Sequence, residues 1–537
     1  MAANLANLTV AGTGEGLASR EWWNTGLFIA IALFLAALPL LWPPVPPLLD
    51  LPSHMGSYQI AFALDSSASL QKYYDFHWEL LGNLGVDLLV MPFAKVFGVE
   101  LATKIVVILI PTMSVAGMMW IAKEIHGELP PTIGFALPLA YCYPFHFGFV
   151  NFCLSMALML LSLGLWLRLA RLDRLVLRAG VFALISVALW IAHAIGWALL
   201  VIACGCAELH RRIEAGETWR RAMAQSALTC ATLCTPLLIM VSLPHHKASS
   251  ATGWLVPQEL AKWLVTLFRD RWMYFDLATA AIFFAVLAVA AVRRCGMRLR
   301  SSLALPALAI FATFVAAPRS INDSSFVNGR IAPYALALFV VAISTRDATA
   351  RERRVLAIAA SAFLVLRTAT TTASMALYSA SYTANLAALD HVEPGSAIVA
   401  LSPVPCRHGV EDWRNPRLYH LAGMAIVRKD AFVNTEWQVD GLQVLRTKYA
   451  AAKPFDSDPS EMVTLGCDML PVAQYKTSIE AFPRPAFDYL WLLGIPPSLW
   501  PADPDLKLVW SKDNSALFRI AHQMRGHSTH SSSGDAP

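Results

Sequence analysis

Four groups of arginines punctuate a chain that is otherwise largely apolar from residue 26 to residue 373. They are Arg168, Arg171, Arg174 and Arg178; Arg211, Arg212, Arg220 and Arg221; Arg293, Arg294, Arg298 and Arg300; and Arg346, Arg351, Arg353 and Arg354. The runs between them approach the ~20 residues that cross a bilayer as a helix, and short basic loops mark the cytoplasmic side of such a chain. Of 537 residues, 56% are apolar and 15% charged, against roughly 25% charged in soluble domains. The chain reads as a polytopic α-helical membrane protein. Its formal charge of +5 lies in these basic loops and gives no reason to expect nucleic acid as a partner.

Between two cytoplasmic groups the chain must cross an even number of times. Spans at 222–243 and 272–292 place 244–271 outside, and the two spans between Arg300 and Arg346 are joined by an outer segment at 318–330. Residues 132–167 and 179–207 each read as two short tilted helices, with tips at 143–148 and 193–196; for 179–207 a single crossing is the alternative. Residues 1–20 lack the basic start and cleavage site of a signal peptide, so 26–42 is a retained first span and 1–25 a cytoplasmic segment. The count is eleven crossings in a membrane domain spanning 26–377. An outer loop, 43–100, carries an interfacial helix at 84–97, interrupted by Asp87, Pro92 and Lys95. The last span leads to an outer domain at 378–521. There 397–401, 424–427, 489–493 and 516–520 read as strands and 439–451 as helix, giving a small α/β unit. The tail, 522–537, reads as disordered. Cys406 and Cys467 are the outer domain's two cysteines; an oxidising compartment would let them pair, though sequence does not fix the distance between their backbones.

Within the outer loop, Pro43, Pro44, Pro46 and Pro47 end the first span, because proline lacks an amide donor and fixes φ. Asp50-Leu51-Pro52-Ser53-His54 follows. A carboxylate at a membrane mouth is costly unless something uses it, so Asp50 is the candidate general base, with a helix cap or turn as the structural alternative. His54 would assist it, bind a metal with it, or make only an interfacial contact. His77 and Glu79 sit among Tyr73, Tyr74, Phe76 and Trp78, a cluster suited to a sugar face or to a membrane interface. His146, Asn151 and His193, at the helix-pair tips, face a cavity or bond neighbouring helices. Lys247, Arg269, Arg271, Arg319, Asn322 and Arg330 lie on outer connections, where they would hold a phosphate or anchor to headgroups. There is no P-loop, Rossmann glycine pattern, H-E-x-x-H or nucleophile elbow, so ATP-driven transport and zinc proteolysis lose support.

The first loop with Asp50–His54, then Gly82-Asn83-Leu84-Gly85 leading into the interfacial helix, then Phe147-Gly148-Phe149-Val150-Asn151-Phe152, resembles the GT-C superfamily of integral membrane glycosyltransferases. The resemblance is to the protein O-mannosyltransferase and aminoarabinose transferase branch, and to bacterial membrane proteins with a D-x-P-x-H first loop. It implies a bacterial inner (plasma) membrane protein with its outer domain in the periplasm. The implied donor is a sugar on polyprenyl phosphate, and the implied acceptor a periplasmic glycan, lipid or protein hydroxyl. Asp50 would take the acceptor's proton as it attacks the anomeric carbon, while fixed cations stabilise the departing polyprenyl phosphate. The mannosyltransferases carry adjacent acids where this chain has Asp50-Leu51, which leaves the acceptor and the need for a divalent cation open. Two other readings stand beside this one: a lipid or amphiphile transporter or flippase using the same cavity, and a non-catalytic envelope assembly protein.

Overall fold

A computed structural model describes residues 21–243, 251–321, 325–406, 413–414, 417–438, 443–468 and 472–522. Among them, seven helices are long and apolar enough to cross a membrane, joined by three shorter apolar helices at Gly26–Leu40, Ser301–Ala316 and Val327–Val341. The expected pair at 179–207 is two helices, Leu175–Ala192 and Ala194–Glu214, broken at His193, whose side chain accepts from the Ile195 amide and caps the second. The stretch before the tip at 143–148 differs from expectation. Instead of a short crossing helix it forms two 3-10 turns, Ile133–Phe135 and Leu137–Tyr141, buried on every side.

The expected interfacial helix and the span that follows it are the two arms of one element, Gly85–His126, bent at Gly98. With φ at 73° and ψ at 165°, this position needs a residue without a Cβ, so the glycine is what separates the arms. At the far end of the membrane domain, Ala350–Leu386 is a continuous helix of 37 residues, started by a capping box between Thr349 and Glu352. It runs past the boundary expected near residue 377.

The C-terminal domain, the outer domain of the topology expected from the sequence, is built on a mixed sheet. Its strands run in the order Ala473–Gln474, Met462–Thr464, Ala397–Val404, Tyr489–Leu492, Ser515–Ile520 and Leu506–Lys512, with Phe432–Val433 also paired to Ala397–Val404. Tyr489–Leu492, Met462–Thr464 and Phe432–Val433 all pair in parallel with Ala397–Val404, and central strands covered on both faces read as continuous apolar runs. That is why 397–401, 489–493 and 516–520 were legible as strands. Residues 424–427 are instead in a helix, Met424–Lys429; a short apolar run buried all round has no period by which to tell the two apart. The described part of 439–451 is likewise not an α-helix: Leu445–Thr447 is a strand paired antiparallel to Tyr74–Phe76, and a 3-10 turn, Ala450–Ala452, begins at its end, so partner contact overrides local preference. Cys406 and Cys467 are joined as a disulfide, with Cα atoms 5.8 Å apart, just beyond two neighbouring parallel strands.

Candidate active site

The first loop and the outer domain are built into each other. Helix Leu51–Ala63 starts with Pro52 in its first turn, where no amide partner is lost, and packs against residues 421–429. Glycine permits the approach: a Cβ on Gly423 would fall 2.8 Å from the Pro52 carbonyl oxygen, and one on Gly56 would fall 2.8 Å from Glu436 Oε1. Ser53 Oγ donates to the Thr435 carbonyl at 3.1 Å. Gln59 and Ser67 both donate to the Asp430 carboxylate, at 3.2 and 2.9 Å. Tyr73 and Tyr74 are buried against Phe432, so the aromatic cluster of the loop is mainly packing.

Asp50 sits at the start of this helix, and its side chain makes no cap bond. Its backbone amide donates to the Phe147 carbonyl at 2.9 Å, and the Leu49 amide to that of His146 at 3.3 Å. The two tips thus form one surface, closed by Gly148, where φ is 102° and a Cβ would lie 2.8 Å from the Asp50 nitrogen. Asp50 is 6% exposed, and Oδ1 has no hydrogen-bond partner among the described residues. Burial pushes its pKa well above the ordinary carboxylate range, Asp458 pushes it further, and Arg330 pulls it back.

Facing Asp50 from the outer domain is His420, with Nε2 3.5 Å from Asp50 Oδ1 and Nδ1 3.4 Å from Glu461 Oε1. Burial lowers its pKa to about 3, helped by His54, whose own pKa falls to about 4 through burial and Arg330. Both imidazoles are therefore neutral at pH 7. Trp437 packs against both rings, at 4.9 Å from each. Glu436 and Glu461 are wholly buried, and burial followed by Asp458 raises the pKa of each. The Asp458 amide donates to the Glu436 carbonyl at 3.1 Å. One donor atom each from His420, Asp458 and Glu461 lie within 4.8 Å of one another, a spacing that suits a metal ion.

Other residues expected at the site are distributed around this cluster. Arg330 is buried with its guanidinium 3.6 Å over the Phe149 ring, and it donates to the Ser325 carbonyl at 2.7 Å. Asn151 staples the entry to the kinked helix, accepting from the Val86 amide at 2.6 Å and donating to the Asn83 carbonyl and to Asp87 at 2.8 and 2.9 Å. His54, Ser57, Asp87, Asn151 and Trp437 line a recess with room for about one water molecule. His193 packs edge-on to Phe152. His146 is buried against Arg417 and Asp270. Arg269 donates to the Trp413 carbonyl at 2.9 Å, and Arg271 lies over Tyr378.

His77 is exposed and pairs with Asp75 at 3.1 Å, with Glu79 half-buried two residues on. Arg319 is exposed beside the short strand Ser320–Ile321, which pairs with Ala251–Thr252. Lys247 and Asn322 lie outside the described residues. The sequence reading had missed His420, Glu436, Asp458, Glu461, Arg417 and Asp270. In sequence their only signal is that Thr435-Glu436-Trp437 directly follows an apolar strand and Glu461 directly precedes one.

Taken together, fold and site define a polytopic helical membrane protein whose first loop and outer mixed-sheet domain enclose a buried cluster of carboxylates and imidazoles. No family model and no curated protein sequence matches the chain. Among the solved structures that align with it are ArnT from Cupriavidus metallidurans in the apo state, with a TM-score of 0.46 and 15% identity, and ArnT from the same organism bound to undecaprenyl phosphate, with a TM-score of 0.45 and 14% identity. Each alignment covers 92% of this chain and 97% of the other.

Proposed function

We propose that this chain is a membrane glycosyltransferase that moves a sugar from a polyprenyl-phosphate donor to an acceptor hydroxyl at the periplasmic face of the inner membrane. The observation that carries the reading is Asp50: a buried carboxylate with no capping role and an unsatisfied oxygen, where the first loop meets the outer domain. In the proposed step the acceptor oxygen bonds to the anomeric carbon, the bond from that carbon to the phosphate oxygen breaks, and the hydroxyl proton passes to Asp50. Burial strengthens Asp50 as a proton acceptor, and the Arg330 field favours its ionised starting form. Arg330 also supplies positive charge for the phosphate that leaves. His54 stays neutral at pH 7 and follows Asp50 by one helical turn, its amide donating to the Asp50 carbonyl at 3.2 Å. The Cys406–Cys467 disulfide suits an oxidising compartment and so supports an outer domain in the periplasm.

The recess beside His54 and Asp87 has room for about one water molecule and does not itself hold a hexose. The test is sugar transfer by the purified protein in lipid, with a panel of polyprenyl-phosphate sugars and a periplasmic extract as acceptor, run beside Asp50→Asn. Transfer that is lost in the variant while donor binding is retained is the expected result. Absence of donor binding across the panel overturns the proposal.

A further inference from the structure

We infer that His420, Asp458 and Glu461 form a binding site for one divalent transition-metal cation of the zinc kind, on the outer domain next to Asp50. The inference stands apart from the transfer reading, because the ion's binding is measurable with no donor present.

The argument begins with His420. A neutral imidazole has one N–H and one bare nitrogen, yet both ring nitrogens of His420 face a carboxylate, at 3.5 and 3.4 Å. A cation shared by one ring nitrogen and the carboxylate it faces would give both lone pairs a partner. A cation between Nδ1, Glu461 and Asp458 supplies that, and it leaves Nε2–H directed at Asp50. This is the carboxylate–imidazole–metal arrangement that fixes the tautomer of a ligating histidine. The spacing fits. With metal–ligand bonds of ~2.1 Å, the edges of a tetrahedral site are about 3.4 Å, and Nδ1 lies 3.4 Å from Glu461 Oε1 with the third donor inside the same 4.8 Å group.

The second observation concerns charge. Glu436 and Glu461 are wholly buried; among the described residues no hydrogen-bond donor reaches either oxygen of Glu436, and Glu461 has only the neighbouring Asp458 carboxyl within hydrogen-bonding reach. Asp458 Oδ1 and His420 Nδ1 are unsatisfied too. Buried charges are ordinarily paired or bound to a metal. Here the carboxyls of Asp458 and Glu461 gather at His420, with Asp50 facing its other ring nitrogen, and Arg330 is a cation whose field reaches Asp50. One imidazole with two carboxylates and a fourth position left open is a donor set that zinc accepts.

The site joins residues from two separate outer-domain segments, one at His420 and one at 458–461, so the ion would tie those two together beside Asp50. The test uses the full chain in lipid nanodiscs, stripped with chelator, dialysed against Zn²⁺ and assayed for bound metal, with Co²⁺ as a spectroscopic probe. The expected result is about one Zn²⁺ per chain, a raised melting temperature, and Co²⁺ d–d bands of a nitrogen and oxygen site. Asp458→Asn and Glu461→Gln should each weaken uptake by at least about tenfold. In chelator, both should melt no lower than the stripped wild type, because each amide keeps the shape of the carboxyl it replaces and relieves the crowding of acids there. Failure of the stripped wild type to take up a stoichiometric ion overturns the inference without recourse to any variant. Undiminished uptake by folded Glu461→Gln overturns it as well.

Discussion

The Arg417 guanidinium donates to His146 Nδ1 across 2.9 Å, so that nitrogen is the bare one and the imidazole carries its proton on Nε2. The same guanidinium reaches Asp270 Oδ1 at 3.0 Å and the Pro47 carbonyl, and it lies 4.1 Å over the Tyr378 ring. One buried side chain of the outer domain thereby ties together the proline segment, the 143–148 tip, the turn before Met273–Ala291 and the long helix Ala350–Leu386.

Removing it leaves Asp270 with the hydroxyl of Ser374 but no cation. Arg417→Met should destabilise the fold by about 3–5 kcal/mol, the cost of breaking one side of a buried pair. Thermal unfolding in lipid reads this as a lower midpoint. Adding Asp270→Asn should recover part of the loss; equal midpoints for single and double variants would refute the pairing account.

Asp50→Asn keeps the shape of the loop and removes the proton acceptor. Turnover should fall by about 10²–10⁴-fold, in the range of general-base loss, while donor affinity changes little. A variant that loses binding and turnover in equal measure would make Asp50 a substrate anchor instead of a base.

The close approach of loop and outer domain is tested at Gly423. Its added Cβ would meet backbone atoms of Pro52 and Ser53 at 2.8 Å, and backbone yields less readily than side chains. Gly423→Ala should cost about 1–3 kcal/mol through overpacking and speed amide exchange over residues 421–429. Gly180→Ala is the control, because no atom lies within 4 Å of its added Cβ; exchange there should be unchanged or slower.

The disulfide closes a loop of sequence separation 61. Replacing both Cys406 and Cys467 with serine should cost about 2–4 kcal/mol and loosen the two neighbouring strands. In intact cells, a maleimide should label Cys406 and Cys467 only after reduction. Labelling without reduction would place the pair in its thiol form and remove the support it gives to an oxidising compartment.

What was legible in the sequence follows from what is local. Apolar runs, prolines and arginine groups act on their own segments, so the membrane class, the stop of the first apolar helix at the prolines, and the separation of 84–97 from the span that follows could be read directly. Asp50 was visible because a carboxylate there had no local excuse. Its partners were not. Asp456-Ser457-Asp458-Pro459-Ser460-Glu461 has the composition of a solvated turn, and only the fold turns Glu461 inward, with its carbonyl accepting from the Ser402 amide at 2.7 Å. His420 and Arg417 sit in a segment without periodicity, and their burial is decided by the loop that packs over them. His77 and Glu79 looked like a substrate-binding pair for the opposite reason. Their aromatic neighbours suggested a binding face, but Tyr73 and Tyr74 turn into the outer domain's core and leave His77 outside it.

Ser53 meets Thr435 across 382 positions of the chain, and Arg417 meets Pro47 across 370. A chain made from its N-terminus has already produced Ala350–Leu386, the last of its long apolar helices, before any of His420, Trp437, Asp458 or Glu461 exists. Up to that point Asp50 stands beside an open surface with none of the groups that later enclose it. The order of synthesis therefore delays the acid cluster until the final stage, and a chain stopped after the helices would be a built bundle with an unassembled reaction centre.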